Sequence, residues 1–299
     1  MTSHYDNWKL YNYTPTRAGA VAFAVLFCIS LIFLLYEMYY YSRKAAVMRK
    51  FSLKYKFRPE NEILGLDVTL PISSKRILAK YVPLLAGCLL EMIGYAARAY
   101  SKSHPKSLPP FIVQSILLLI APALMVATIY MLFGRMLILL RCTHLSIIPS
   151  KYGTKIFVIG DIFSLVLQGL GGGLMADENE TTTGSHIIVV GLFIQIAFFA
   201  LFVINEVIFS YKVKFVCPPV TGCTVKTWKS FNLNLLICSM LILLRSIVRV
   251  IEFIQGHNGY INSHEYFIYV FDAIPMLLTV CSFVISMPSS NLFKLESEC

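Results

Sequence analysis

SFNLNLLICSMLILLRSIVRVIEF (Ser230–Phe253) and YFIYVFDAIPMLLTVCSFVISM (Tyr266–Met287) are apolar stretches that nonetheless carry Arg245, Arg249, Glu252 and Asp272, with Glu265 just ahead of the second. A bilayer core about 30 Å thick is crossed by roughly 20 apolar helical residues, so each stretch is long enough to span. A charged side chain at bilayer depth costs about 2.5 to 3.5 kcal/mol on insertion scales. Such residues persist in a span only when they pair with one another or face an aqueous cavity. The two stretches therefore point to a polytopic bundle with a polar interior rather than to a simple anchor.

The rest of the chain agrees. Of 299 residues, 57% are hydrophobic and 14% charged, and the mean hydropathy is +0.68. A soluble domain is about 45–50% apolar and about 25% charged. Residues 18–40, 82–100, 111–134, 156–176 and 187–209 complete a set of seven expected spans with 230–253 and 266–287. The expected fold is all-α: a single seven-helix transmembrane domain over residues 1–299. The segment before Ala18 is polar, so the first span is expected to serve as the targeting signal.

Lys and Arg distribution sets the expected orientation. Nineteen of them fall in the 42–81, 135–155 and 210–229 connections and in the tail, against four in the N-terminus and the alternate connections. The N-terminus is expected outside and the C-terminus in the cytosol. The sequons at Asn12 and Asn179 then lie on the outer side as glycosylation candidates. No cysteine falls in an outer connection, so no structural disulfide is expected. The net charge of +10 is explained by these topogenic connections and by anionic headgroups. Nucleic-acid binding is excluded.

Four spans have polar faces. In the second, Glu91, Gly94 and Arg98 share one side at spacings of three and four. There Gly94 lets a neighbouring helix approach, while Arg98 either lines a cavity or snorkels to the outer interface. In the fourth, Asp161, Ser164 and Gln168 share a face, and Gly171-Gly172-Gly173 reads as a packing surface or kink. That triplet follows no strand and carries no Lys, so a phosphate loop is excluded. In the sixth, Arg249 and Glu252 can pair within the helix, which leaves Arg245 to find an acid elsewhere. Asp272, Glu91 and Glu206 are the candidates, and depth favours Asp272. A structural ion-pair network, a proton-linked carboxylate and a headgroup site all remain open for this set.

His104, His186, His257 and His264 map to the outer side but lack the i,i+4 spacing of a hydrolytic zinc site. No nucleophile and base can be paired from spacing. No cofactor, no metal and no enzymatic activity are expected.

Four ordered motifs carry a resemblance: EMIGYAAR (Glu91–Arg98), GDIFSLVLQGLGGG (Gly160–Gly173), RSIVRVIEFIQG (Arg245–Gly256) and EYFIYVFDAIPM (Glu265–Met276). With YNYTPTRAGA (Tyr11–Ala20), they resemble the fungal lipid-translocating exporter family, which includes yeast proteins of aminocholesterol, molasses and sphingoid-base resistance. The resemblance implies a seven-span protein of the plasma membrane or endomembranes that moves amphipathic lipids or confers tolerance of them. Its expected partners are membrane lipids or amphipathic small molecules. A seven-helix sensor of membrane-lipid asymmetry, without transport of its own, is the alternative. The absence of a Walker-type loop argues against ATP as the direct energy source.

Overall fold

In hydrocarbon the backbone has no hydrogen-bond partner but itself, so each apolar run closes its own bonds as a helix. The computed structural model describes residues 17–56, 73–101, 108–140, 143–146, 150–174, 181–216, 225–255 and 265–298. Helices α1 (Arg17–Lys56), α2 (Ser74–Ser101), α3 (Leu108–Leu139), α4 (Ser150–Leu174), α5 (Thr181–Val216) and α6 (Val225–Gln255) follow in order. The next helix, α7, is composite: Glu265–Ile268 opens it, Tyr269–Ala273 forms a π-helical turn, and Ile274–Ser286 continues as α-helix. The short helix α8 is Leu292–Glu298. The sequons at Asn12 and Asn179 lie outside the described residues.

Seven of these helices are long and apolar enough to cross a membrane. Several outrun the spans expected from composition. α2 starts at Ser74 rather than at residue 82, continuing past Lys75, Arg76 and Lys80 and through Pro83. Apolar composition marks the hydrocarbon slab, whereas a helix runs on into the interface where charges are solvated.

Consecutive helices pack on one another, α7 returns to α1, and α3 also meets α6. α3 is the central element, buried over most of its apolar length, whereas α1 is largely exposed. Lipid-facing surfaces are correspondingly apolar. Ile159, Ile162, Phe163, Val166 and Leu170 of α4 are all exposed.

Two glycines mark close approaches. A Cβ at Gly94 would sit 2.9 Å from the Leu118 side chain on α3. A Cβ at Gly171 would lie 2.6 Å from the Gly184 carbonyl on α5. Gly172 and Gly173 face open space, so only the first residue of the triplet packs.

The tail returns to the bundle. Asn291 caps α8 by accepting the Lys294 amide at 2.7 Å. Leu292, Phe293 and Leu295 are buried among α1, α2, α3 and α6. The Phe293 ring stacks on Tyr81 at 6.1 Å, whose hydroxyl accepts the Leu292 amide at 3.3 Å.

Candidate functional site

The half of the bundle holding the starts of α1, α3, α5 and α7, called here the upper half, gathers the charged residues. Arg245 on α6 is 4% exposed. Its Nε donates to Asp272 Oδ1 at 2.6 Å, and its Nη2 donates to the Leu118 carbonyl of α3 at 2.7 Å. The guanidinium therefore ties three helices together, with one of its two contacts to a backbone oxygen.

Asp272 reaches Arg245 from the π-helical turn. Pro275 lacks an N–H and its ring conflicts with the carbonyl four residues earlier, here that of Phe271. A single wider turn accommodates that conflict, and the Ile274 amide bonds the Tyr269 carbonyl across it. Such turns recur at functional positions in helices.

Glu91 on α2 is 1% exposed, and neither of its carboxylate oxygens has a hydrogen-bond partner. Its electrostatic neighbours are Asp272, Arg245 and Arg249. Tyr95, one turn further on, is fully buried. Its hydroxyl lacks a bonded partner among the same charges. Arg98 is 1% exposed, so it does not snorkel. Its Nε donates to the Tyr269 hydroxyl at 3.4 Å, with the guanidinium 5.5 Å from that ring's centre. Tyr269 in turn stacks on Phe23 of α1 at 5.4 Å.

Arg249 donates to Glu252 at 2.9 Å within α6, and both are partly exposed, 16% and 15% by side chain. This pair borders a shallow cleft between α6 and α7, about 230 Å³ of empty space counting its open mouth but with room inside for little more than a water, lined also by Arg245, Asp272, Phe267 and Phe271. The upper half thus balances Arg98, Arg245 and Arg249 against Glu91, Glu252 and Asp272, with Glu91 as the carboxyl lacking a hydrogen bond. Glu265 begins α7, and its side chain lies outside the described residues.

Asp161 and Gln168 do not join this group. Both are buried on α4, where Gln168 donates to Gln195 of α5 at 2.9 Å. Asp161 turns toward Tyr130 of α3. Periodicity places the two on one face, but that face packs on α5 and α3 rather than on α2, α6 and α7.

Three features escaped sequence reasoning. The Leu118 carbonyl leaves no trace in a side-chain pattern. The π-turn was signalled only by Pro275, three residues after Asp272. Finally, polar contacts below the ion pair join α6 to α7 and to the turn that follows it. Cys238 faces the Thr279 carbonyl at 3.9 Å, Ser282 donates to Asn234, and Ser290 meets Ser230 at 3.2 Å. Residues 230, 234, 238 and 245 recur at helical spacing, which was the available signal. Glu206 of α5 joins α6 separately, accepting from Ser239 at 2.8 Å.

A buried, charge-balanced core between membrane helices, bordered by a cleft on one side, is the arrangement of a polytopic membrane protein with a polar interior. The RTA1-like family description matches residues 84–296, and the chain belongs to that family. It is 45% identical to Protein RTM1 of Saccharomyces cerevisiae over 98% of this chain and 96% of the relative. It is 44% identical to Protoporphyrin uptake protein 1 of the same yeast over 100% of this chain and 98% of the relative. Sphingoid long-chain base transporter RSB1, also from that yeast, is 29% identical over 67% of this chain and 62% of its own length. No solved structure matches.

Proposed function

We propose that this protein moves amphipathic lipids or lipid-like amines across a membrane, receiving the polar head beside Glu91 and the Arg245–Asp272 pair. The observation that carries the reading is Glu91: buried to 1% exposure, beside three charged neighbours, with both oxygens unbonded. Buried polar groups in folded proteins are nearly always bonded, so an unbonded carboxylate within a charged core is suited to a ligand or water. Relatives named for protoporphyrin uptake and for sphingoid long-chain base transport support an amphipathic substrate. Both names describe flat or elongated apolar bodies with ionisable groups. Sphingoid bases and sterol-like amines are the substrates for which such a site would confer resistance.

The Lys and Arg asymmetry, nineteen against four, supports an upper half facing outside and a C-terminus in the cytosol; we place the protein in the plasma membrane. Polar heads would then cross from the lower half and leave through the α6–α7 cleft. Purified protein reconstituted in liposomes with a fluorescent sphingoid base tests this. Transbilayer movement should exceed that of protein-free vesicles and fall in Glu91→Gln. Equal movement with and without protein would overturn the reading.

A further inference from the structure

We infer that the lower half of the bundle holds a second site, one that binds the ammonium group of an amphipathic amine between α3, α4 and α5. The inference rests on the transport reading for its choice of ligand, and on separate geometry for its place.

The cavity there encloses about 280 Å³ of empty space counting its mouth, with room inside for a group of water or ammonium size. Tyr130, Phe133, Phe157 and Phe202 line it. Their rings form one interlocked wall, with centroids 4.5 Å apart for Tyr130 and Phe202 and 5.4 Å for Phe133 and Phe202. Thr154 also lines it and directs its hydroxyl proton to the Tyr130 carbonyl at 3.3 Å. Its oxygen is therefore left to act as an acceptor.

Thr154, Phe157 and Asp161 succeed one another on a single face of α4 at spacings of three and four. Asp161, 5% exposed, does not line the cavity but follows Phe157 by one turn and lies beside Tyr130, its carboxylate with no close donor but that hydroxyl. The Tyr130 hydroxyl is the nearest polar neighbour of this carboxylate and faces it closely enough to serve as its donor. Among the described residues no Lys or Arg forms an ion pair with Asp161, whereas Arg245 and Arg249 pair with Asp272 and Glu252.

A cation is what this arrangement lacks. Aromatic faces attract an ammonium through the ring quadrupole, most strongly where water is excluded. A carboxylate behind them supplies the counter-charge that a buried cation requires. The upper half sets its acids among three arginines, whereas Asp161 has no Lys or Arg against it among the described residues. The space admits a head group but not a sterol or tetrapyrrole body, so the hydrocarbon chain of the amine lies outside, between helices and lipid.

The test uses full-length protein in phosphatidylcholine nanodiscs, with dodecylamine as probe and dodecanol as its uncharged counterpart. Dodecylamine is expected to raise Tm more than dodecanol. Asp161→Asn should abolish that difference and weaken dodecylamine binding at least tenfold. A diazirine-bearing dodecylamine, photolysed on the unaltered protein, should label residues around Tyr130, Phe157 and Phe202. This second measurement decides the matter even where Asp161→Asn fails to fold. Equal responses to amine and alcohol, full binding by Asp161→Asn, or labelling confined to the α6–α7 cleft would each overturn the site. Lipid flux with no labelling here removes this site and leaves the transport reading standing, and labelling without flux does the reverse.

Discussion

Arg245 and Asp272 meet at 2.6 Å across the α6–α7 interface, and the acid reaches the contact from a π-helical turn. The pair is buried, and the same guanidinium holds the Leu118 carbonyl at 2.7 Å. Removing one member strands a charge in the core.

Arg245→Gln and Asp272→Asn should therefore each destabilise the protein strongly, by about 3–5 kcal/mol as for other broken buried pairs. The double replacement Arg245→Leu with Asp272→Leu should regain much of the loss, since apolar isosteres of a buried pair are often neutral in stability. Lipid flux should not return. Thermal unfolding in detergent together with a flux assay checks this. A double variant less stable than either single one would contradict it.

Arg249 and Glu252 share the same helix and remain partly solvated. Their mutual contribution should be small, about 0.2–1 kcal/mol. A double-mutant cycle on thermal stability measures it, and a coupling as large as that of the buried pair would show that their cleft is dry.

Gly94→Ala places a methyl group 2.9 Å from the Leu118 side chain, next to the carbonyl that Arg245 holds. Overpacking of this kind destabilises by about 1–3 kcal/mol. Gly172→Ala meets nothing within 4 Å and should stabilise α4 by about 0.5–1 kcal/mol through helix propensity. Melting temperatures of the two variants should move in opposite directions.

Tyr269→Phe keeps the ring that stacks on Phe23 and loses the long 3.4 Å contact from Arg98. It should unfold within about 1 kcal/mol of the parent protein. Tyr269→Ala removes the ring as well and should lose about 3–5 kcal/mol. Comparable losses in both variants would show that the hydroxyl, not the ring, holds Arg98.

The proposed orientation makes a separate claim. A membrane-impermeant maleimide should label Cys217 and Cys223, which lie in the Lys-bearing 210–229 connection, only after permeabilisation. Labelling of intact cells at those positions would reverse the topology.

Composition revealed the seven spans because the solvent penalty that makes a run helical in lipid is local. It also singled out Glu91, Arg245 and Asp272, since charges at bilayer depth stand out against their neighbours. The partner of Arg245 could be ranked by depth alone, because antiparallel helices bring equal depths together. What periodicity cannot give is the identity of the facing helix. Asp161 and Gln168 share a side of α4 as expected, yet that side meets α3 and α5. Likewise Gly171, Gly172 and Gly173 look alike in the sequence, and only the position of α5 separates the first from the others. The return of α8 into the core was hidden because Leu292, Phe293 and Leu295 make too short a pattern to register.

The π-turn carries one residue of slack, and in a helix one residue corresponds to about 100° of rotation. Without that extra residue the carboxyl of Asp272 would point elsewhere around the helix axis, away from α6. Pro275 opposes a return to ordinary α geometry, because its ring would again meet the Phe271 carbonyl. A proline three residues along thus aims the acid that Arg245 needs.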